Sequence, residues 1–358
     1  MKRKRILLVL TVLILGSLLS ACAGGVVASG WPGLTVVEDT AYLAFNTQIY
    51  AIDIATGRPR WSFPQEADNN LTFYSDPEMT EDGQLIAGSY NHVLFSLNPE
   101  TGVANWEFSE ANNRYIGGPL AAGGAIYAPN ADKFLYAVDQ IGMTDWSTET
   151  TGEGWAKPIA DPACECIYLS TLDHQIYAIN AESGAIIWQS GELGGSVVGT
   201  PAYDAGVLYA GTFGSEMLAI DSQDGSVIWR TPVDGWVWSG PRLVDGMLYF
   251  GDLNGNFYKL DASNGNEVWR IGSEVLDGPI TGSPLVEDGS IYIPTEAGTL
   301  FAYDTEGNPL WSQIIGGQLN TSPVSAGDVI LVAPIENDSL LVALTVDGAT
   351  RWTFAPEE

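Results

Sequence analysis

Residues 219–229 read AIDSQDGSVIW. Near copies stand at 51–61 (AIDIATGRPRW), 97–106 (LNPETGVANW) and 178–188 (AINAESGAIIW). What stays constant is an Asp or Asn closing an apolar run, then a Gly, then a Trp four residues after that Gly. Followed outward, the marks recur eight times. The tryptophans are Trp61, Trp106, Trp146, Trp188, Trp229, Trp269, Trp311 and Trp352, spaced 45, 40, 42, 41, 40, 42 and 41 residues apart. Their glycines are Gly57, Gly102, Gly142, Gly184, Gly225, Gly265, Gly307 and Gly348. A proline precedes each Trp by 27 to 30 residues: Pro32, Pro77, Pro119, Pro158, Pro201, Pro241, Pro284 and Pro323. A strand-like repeat of about 40 residues is the signature of a propeller.

One unit shows four strands. In the fifth copy, TPAYDAG (200–206) is a short strand and turn, VLYAGT (207–212) a second strand, MLAIDSQDG (217–225) a third strand with its turn, and SVIWRT (226–231) a fourth. The third strands, such as IYAID (49–53), LYAVD (135–139) and MLAID (217–221), are nearly continuous apolar runs. A sheet with one wet face would alternate; a blade buried on both faces need not. The fold expected is all-β: an eight-bladed propeller of four-stranded antiparallel blades. Asp53, Asp139, Asp221, Asp261 and Asp304 close third strands, with Asn98, Asn180 and Thr345 in the equivalent place. They read as turn acceptors followed by a Gly at positive φ. The eight tryptophans, demanded once per blade, read as packing that starts each outer strand and fills the gap between blades.

The Ala-x-Asp-x-x-Thr/Ser-Gly-x-x-x-Trp pattern resembles the PQQ-type propeller repeat, named for pyrroloquinoline quinone. The resemblance covers residues 31–355. AYDTEGNPLW (302–311) is one residue short and ALTVDGATRW (343–352) lacks the aspartate, so an irregular eighth blade is expected. Ring closure is left open between plain packing and a strand borrowed from 26–30.

The first residues read as targeting. MKRKR is basic, ILLVLTVLILGSLL is apolar but short for a span, and LSAC ends at Cys22. This resembles a bacterial lipobox. It implies a signal peptide at 1–21, lipid on Cys22, and a small-residue tether within 22–30 ahead of the propeller at 31–355. Several acyl chains make such an anchor stable. Ala23, in place of the aspartate that resembles an inner-membrane retention mark, favours the outer membrane in a two-membrane cell; in a single-membrane cell the location would be the surface. The chain has 14 Lys+Arg against 44 Asp+Glu. Four of those basic residues, and no acid, lie within 1–21, so the processed chain carries about −34. That excludes nucleic acid and an anionic lipid surface as partners. Cys164 and Cys166, in DPACECIY, are open to three readings: a local disulfide, free thiols or metal ligation. No second Cys pair or His cluster completes a metal site, and no metal is expected. DLNGN (252–256) reads as a hairpin turn, lacking the acids of a calcium loop. No catalytic motif is present.

Propeller sites favour the mouth formed by loops leading into the inner strands. Here those loops carry Tyr74, Tyr115, Trp155, Trp236 and Trp238, rings that the blade pattern does not require. Aromatic rims suit a partner peptide or a planar ligand. The hairpins between second and third strands add His92, Lys133 and His174; the lead-in loops add Arg114 and Lys157, and Arg242 follows Pro241. Six of twelve cationic or histidine side chains of the processed chain would then share one end, and blades 2–4 with the Trp236/Trp238 loop form the expected contact surface.

A lipid-anchored, eight-bladed chain of this length resembles the BamB family, lipoprotein subunits of the outer-membrane β-barrel assembly machinery. The resemblance implies a non-enzymatic scaffold without cofactor, a monomer within an envelope protein complex, docking on the periplasmic domains of the barrel protein. The alternative is a small-molecule- or sugar-binding propeller or, more remotely, a PQQ-dependent dehydrogenase. Those enzymes are longer and use calcium ligands, a pocket aspartate and often adjacent cysteines, whereas Glu165 separates Cys164 from Cys166.

Overall fold

The computed structural model describes residues 31–356. Eight four-stranded antiparallel sheets follow one another along the chain. The first blade is Gly33–Val37, Thr40–Phe45, Gln48–Asp53 and Pro59–Phe63; the last is Val324–Ala326, Val329–Val332, Leu341–Thr345 and Thr350–Phe354. The inner strand of the last blade lies beside that of the first, closing the ring. The proposed signal peptide, Cys22 and the tether fall outside the described residues.

Burial follows from this stacking. In most third strands the middle residues are all buried, as in Gln48–Asp53 and Glu216–Asp221; Lys259 and Phe301 are half-buried. Their side chains form eight apolar clusters, one at each interface between successive blades. The cluster of Leu34, Leu43, Leu331 and Phe354 is the seam between blades 1 and 8.

The repeat tryptophan stands third in its outer strand, not first. It pairs across to the third strand, to an Ala in six blades (Ala51↔Trp61, Ala219↔Trp229) and to Ser96 or Lys259 in the other two, and a register shift follows immediately in every blade. A bulge turns the local strand and re-aims a side chain. Here it sends the indole toward the next blade. Trp61 Nε1 donates to Pro99 O (2.8 Å), Trp106 to Gln140 O (2.9 Å), and so on around the ring. The circuit ends with Trp352 donating to Ile54 O at 2.8 Å. The next blade's repeat glycine lies under that indole. A Cβ on Gly102 would sit 2.6 Å from Trp61 Cε3, and one on Gly57 2.6 Å from Trp352 Cδ2. These glycines also hold positive φ, 69° at Gly57 and 71° at Gly102. The Gly–Trp spacing therefore records a contact between blades, not within one.

The repeat aspartates accept turn N–H groups: Asp53 Oδ1 from Thr56 N (3.0 Å) and Asp304 Oδ1 from Asn308 N (2.7 Å). Thr345 does the same work with its hydroxyl, accepting from Ala349 N at 3.1 Å. Blade 8 is consequently regular in its sheet, and the seam is made by packing between two complete blades. Its departure is confined to the 333–340 hairpin, where Gln318 and Ile335 form a bridge. The wide spacing from Trp61 to Trp106 has its own cause. A long lead-in at 64–77 buries Phe73 between the hairpins of blades 1 and 2 and delivers Tyr74 to the axis.

Candidate functional site

The lead-in loops turn one pattern of residues toward the axis. Two residues before each proline the side chain is small, as at Ser75, Gly117, Ala156, Gly199 and Ser239. Neighbouring loops touch there: a Cβ on Gly199 would lie 2.4 Å from Gly240 N. The residues one and three before the proline face the lumen instead. They line a funnel of about 860 Å³. Its blade 7–8 side is polar, with Thr281, Ser283, Asn320 and Ser322; its other side holds Tyr74, Ile116, Trp155, Val198 and Trp238.

At the mouth the aromatic side narrows to a socket of about 330 Å³. Tyr74 and Tyr90 pack at 4.9 Å between centroids, their planes tilted by 31°. The Arg114 guanidinium lies 4.7 Å over the Tyr90 ring and donates through Nη1 to Tyr90 Oη. Among the described residues Arg114 Nε is buried without a hydrogen-bond partner. Trp155 is oriented by its own Nε1–H, donated to Glu153 Oε2 at 3.0 Å. Trp31, from blade 1, crosses the opening to meet Trp238 of blade 6 at 4.8 Å.

Deeper charges are partly matched. Lys157 Nζ and Glu78 Oε2 pair at 2.6 Å, joining blades 4 and 2. Asp76 Oδ1 accepts from Leu34 N at 2.8 Å. The side chain is open to lumen water but ringed by blades, and this desolvation raises its carboxyl above the usual value, against the pull of Lys157 and Arg242. Arg242 donates Nε to Pro284 O at 3.2 Å; desolvation lowers its guanidinium, and Asp76 opposes that shift.

The sequence-predicted contact residues therefore separate into five places. Tyr74, Arg114, Trp155 and Trp238 meet in the socket, and Lys157 and Arg242 line the funnel. His92, Lys133 and His174 lie on the rim, lining neither cavity, at φ of 72°, 73° and 68° in equivalent hairpins. Blades 6 and 7 use Gly255 and Gly298 at that position. His174 Nδ1 is paired with Glu192 at 2.5 Å.

One aromatic assignment is corrected, and one ring lies outside the socket. Tyr115 is 1% exposed and packs between blades 2 and 3, its hydroxyl without a partner among the described residues. It stands four before its proline, where Phe73, Val197, Val237, Ile280 and Leu319 are also buried. In the lead-in loop ahead of the inner strand that position turns into the blade, while its neighbour, Ile116, lines the lumen. Trp236, five before Pro241, is 54% exposed outside the socket, stacked on Phe213 at 5.2 Å. Sequence reasoning missed Trp31, Asp76 and Tyr90. The first two follow from the proline phase; Tyr90 lies in a hairpin and carries no repeat mark.

Cys164 and Cys166 are joined by a disulfide. It lies in the hairpin between the inner and second strands of blade 4, at the blade end away from the socket. A calcium-held quinone would need converging ligands, and among the described residues no three His, Cys, Asp or Glu side chains are placed to hold a metal ion.

A profile of the family described as outer membrane protein assembly factor BamB matches residues 45–163, 172–278 and 258–358. The BamB protein of Nitrosomonas eutropha is 28% identical over 121 residues, 34% of this chain and 26% of that protein. Tetrathionate hydrolase of Acidithiobacillus ferrooxidans is 24% identical over 128 residues, 36% of this chain and 22% of that enzyme. The aligned stretch thus spans about a quarter of either relative's length. Among solved structures, BamB from Moraxella catarrhalis superposes with a TM-score of 0.70 at 18% identity, covering 91% of this chain and 94% of that one. A europium-containing methanol dehydrogenase gives 0.67 at 14%, covering 90% and 84%. At these identities the structural likeness shows the fold alone, and the fold serves both assembly factors and enzymes.

Proposed function

The chain belongs to the family of PQQ-type propellers described as outer membrane protein assembly factor BamB, and from that premise we propose that it is a non-catalytic, lipid-anchored scaffold of the cell envelope. Its partner is an envelope protein complex, the outer-membrane barrel-assembly complex in a two-membrane cell. No resident cofactor enters this reading. The observation that supports it is the socket. Four rings on blades 2, 4 and 6, with Arg114, gather at one mouth of a ring whose own packing requires none of them. Clustered aromatic side chains and arginine are the residue types that carry binding energy at protein interfaces.

The test is affinity capture of the full-length protein from its own detergent-solubilised membranes, beside a Trp155→Ala/Trp238→Ala/Lys133→Glu variant. Recovery of an envelope complex by the native protein, lost in the variant, supports the scaffold and its face. Capture of no envelope complex by the native protein sinks the proposal.

A further inference from the structure

The scaffold reading leaves the chemistry of the docking contact unspecified. Resting on that reading, we propose that the socket receives one aromatic side chain from an extended partner segment, whose neighbouring carboxylate pairs with Arg114.

The walls argue for a ring. Tyr74, Tyr90, Trp155 and Trp238 leave a cavity of about 330 Å³, at the small end of the range for ligand pockets. Rings in such a setting prefer offset or edge contacts with one another. The chain already displays that preference. Trp31 reaches from blade 1 past blades 7 and 8 to lie against Trp238 in the tilted geometry of an aromatic pair, 4.8 Å and 54°. Beside it the cavity remains open for one more group.

Charge argues for an acid next to the ring. The chain holds 44 acidic residues against 14 basic ones, yet not every cation among the described residues meets a carboxylate. Arg60, Lys157, Arg230, Arg270 and Arg351 each pair with a carboxylate. Arg114 has no carboxylate within salt-bridge distance among the described residues, and its buried Nε has no acceptor. A buried donor without a partner costs free energy that an incoming acceptor recovers. Lys133 and His92, on the adjoining hairpins of blades 3 and 2, are exposed and likewise unpaired among the described residues. An arginine fork takes a carboxylate in two parallel bonds. A saccharide fits less well, because it needs many hydroxyl partners and the socket offers few polar heads.

The probe is a capped peptide, Gly-Asp-(4-fluorophenylalanine)-Asp-Gly, followed by fluorine NMR on the purified full-length protein. Its resonance is expected to broaden and shift on binding, and the same peptide with Lys in place of Asp to bind about tenfold more weakly or worse. Trp155→Ala and Arg114→Gln are each expected to weaken the acidic peptide about tenfold, while Ile314→Ala, on an exposed outer strand, leaves it unchanged. Thermal melts of each variant separate loss of the socket from loss of the fold. Equal binding of both peptides, binding of neither, or indifference to Trp155→Ala overturns the proposal. Capture of an envelope complex that survives Trp155→Ala would leave the scaffold standing and remove the socket from it. Selective peptide binding with no complex captured would do the reverse.

Discussion

Gly102 carries two constraints that a single substitution can separate. Its φ is 71°, and a Cβ there would strike the Trp61 ring. Gly123 has φ 60° with nothing near its missing Cβ. An L-residue at positive φ costs about 1–2 kcal/mol. Gly123→Ala should therefore lose about 1 kcal/mol in urea unfolding, and Gly102→Ala at least about 2 kcal/mol. Equal losses would mean that the indole contact contributes nothing. Asp76 offers a second test at this scale. Its carboxyl is raised in the folded state, so the stability it contributes is present below the ordinary carboxyl range and lost as pH rises through the raised value. At neutral pH it is a net cost, and Asp76→Asn should raise Tm at pH 7. The gain should vanish near about pH 3, where the acid is protonated in both states. A lower Tm at pH 7 would contradict this reading of the lumen.

Each blade is joined to the next by the same two devices, an apolar cluster and an indole N–H on a turn carbonyl. The seam between the last blade and the first has both, through Phe354 with Leu34 and through Trp352 with Ile54 O. No strand exchange is needed to close the ring, because blades 1 and 8 each have their four strands. Removing a large buried ring costs about 3–5 kcal/mol. Trp352 at the seam and Trp188 in the middle of the chain are half-buried, so Trp352→Ala and Trp188→Ala should fall together below that range, read from urea unfolding. A much smaller loss for Trp352→Ala would show the seam to be a weak point.

Over the whole molecule the formal charge is −30. Self-repulsion of that size destabilises a compact state and is screened by salt, with a Debye length of about 8 Å at physiological ionic strength. Tm should rise between about 10 mM and about 150 mM NaCl. Over the same range, capture through the cationic mouth should weaken, because Arg114 and Lys133 face the partner. A Tm that falls with salt would show that the ion pairs outweigh the repulsion.

The sequence by itself determined the blade count, the strand order within a blade and the residues that join blades. Those are local or periodic requirements, so they leave a mark once per repeat, as Gly102 and Trp106 do. It also marked the lead-in loops as the place where the blades differ. Only the tertiary structure decided which of those differences meet. Tyr115 and Ile116 are adjacent in sequence, yet the loop buries the ring and turns the aliphatic to the lumen. Lys157 looked like a surface cation and is bound to Glu78, 79 residues earlier, on another blade. Trp31 and Trp238 are brought together only because eight successive rotations return the chain to its start. A repeat fixes its own geometry residue by residue, whereas the lumen is made where the ring closes, from one or two side chains of every blade.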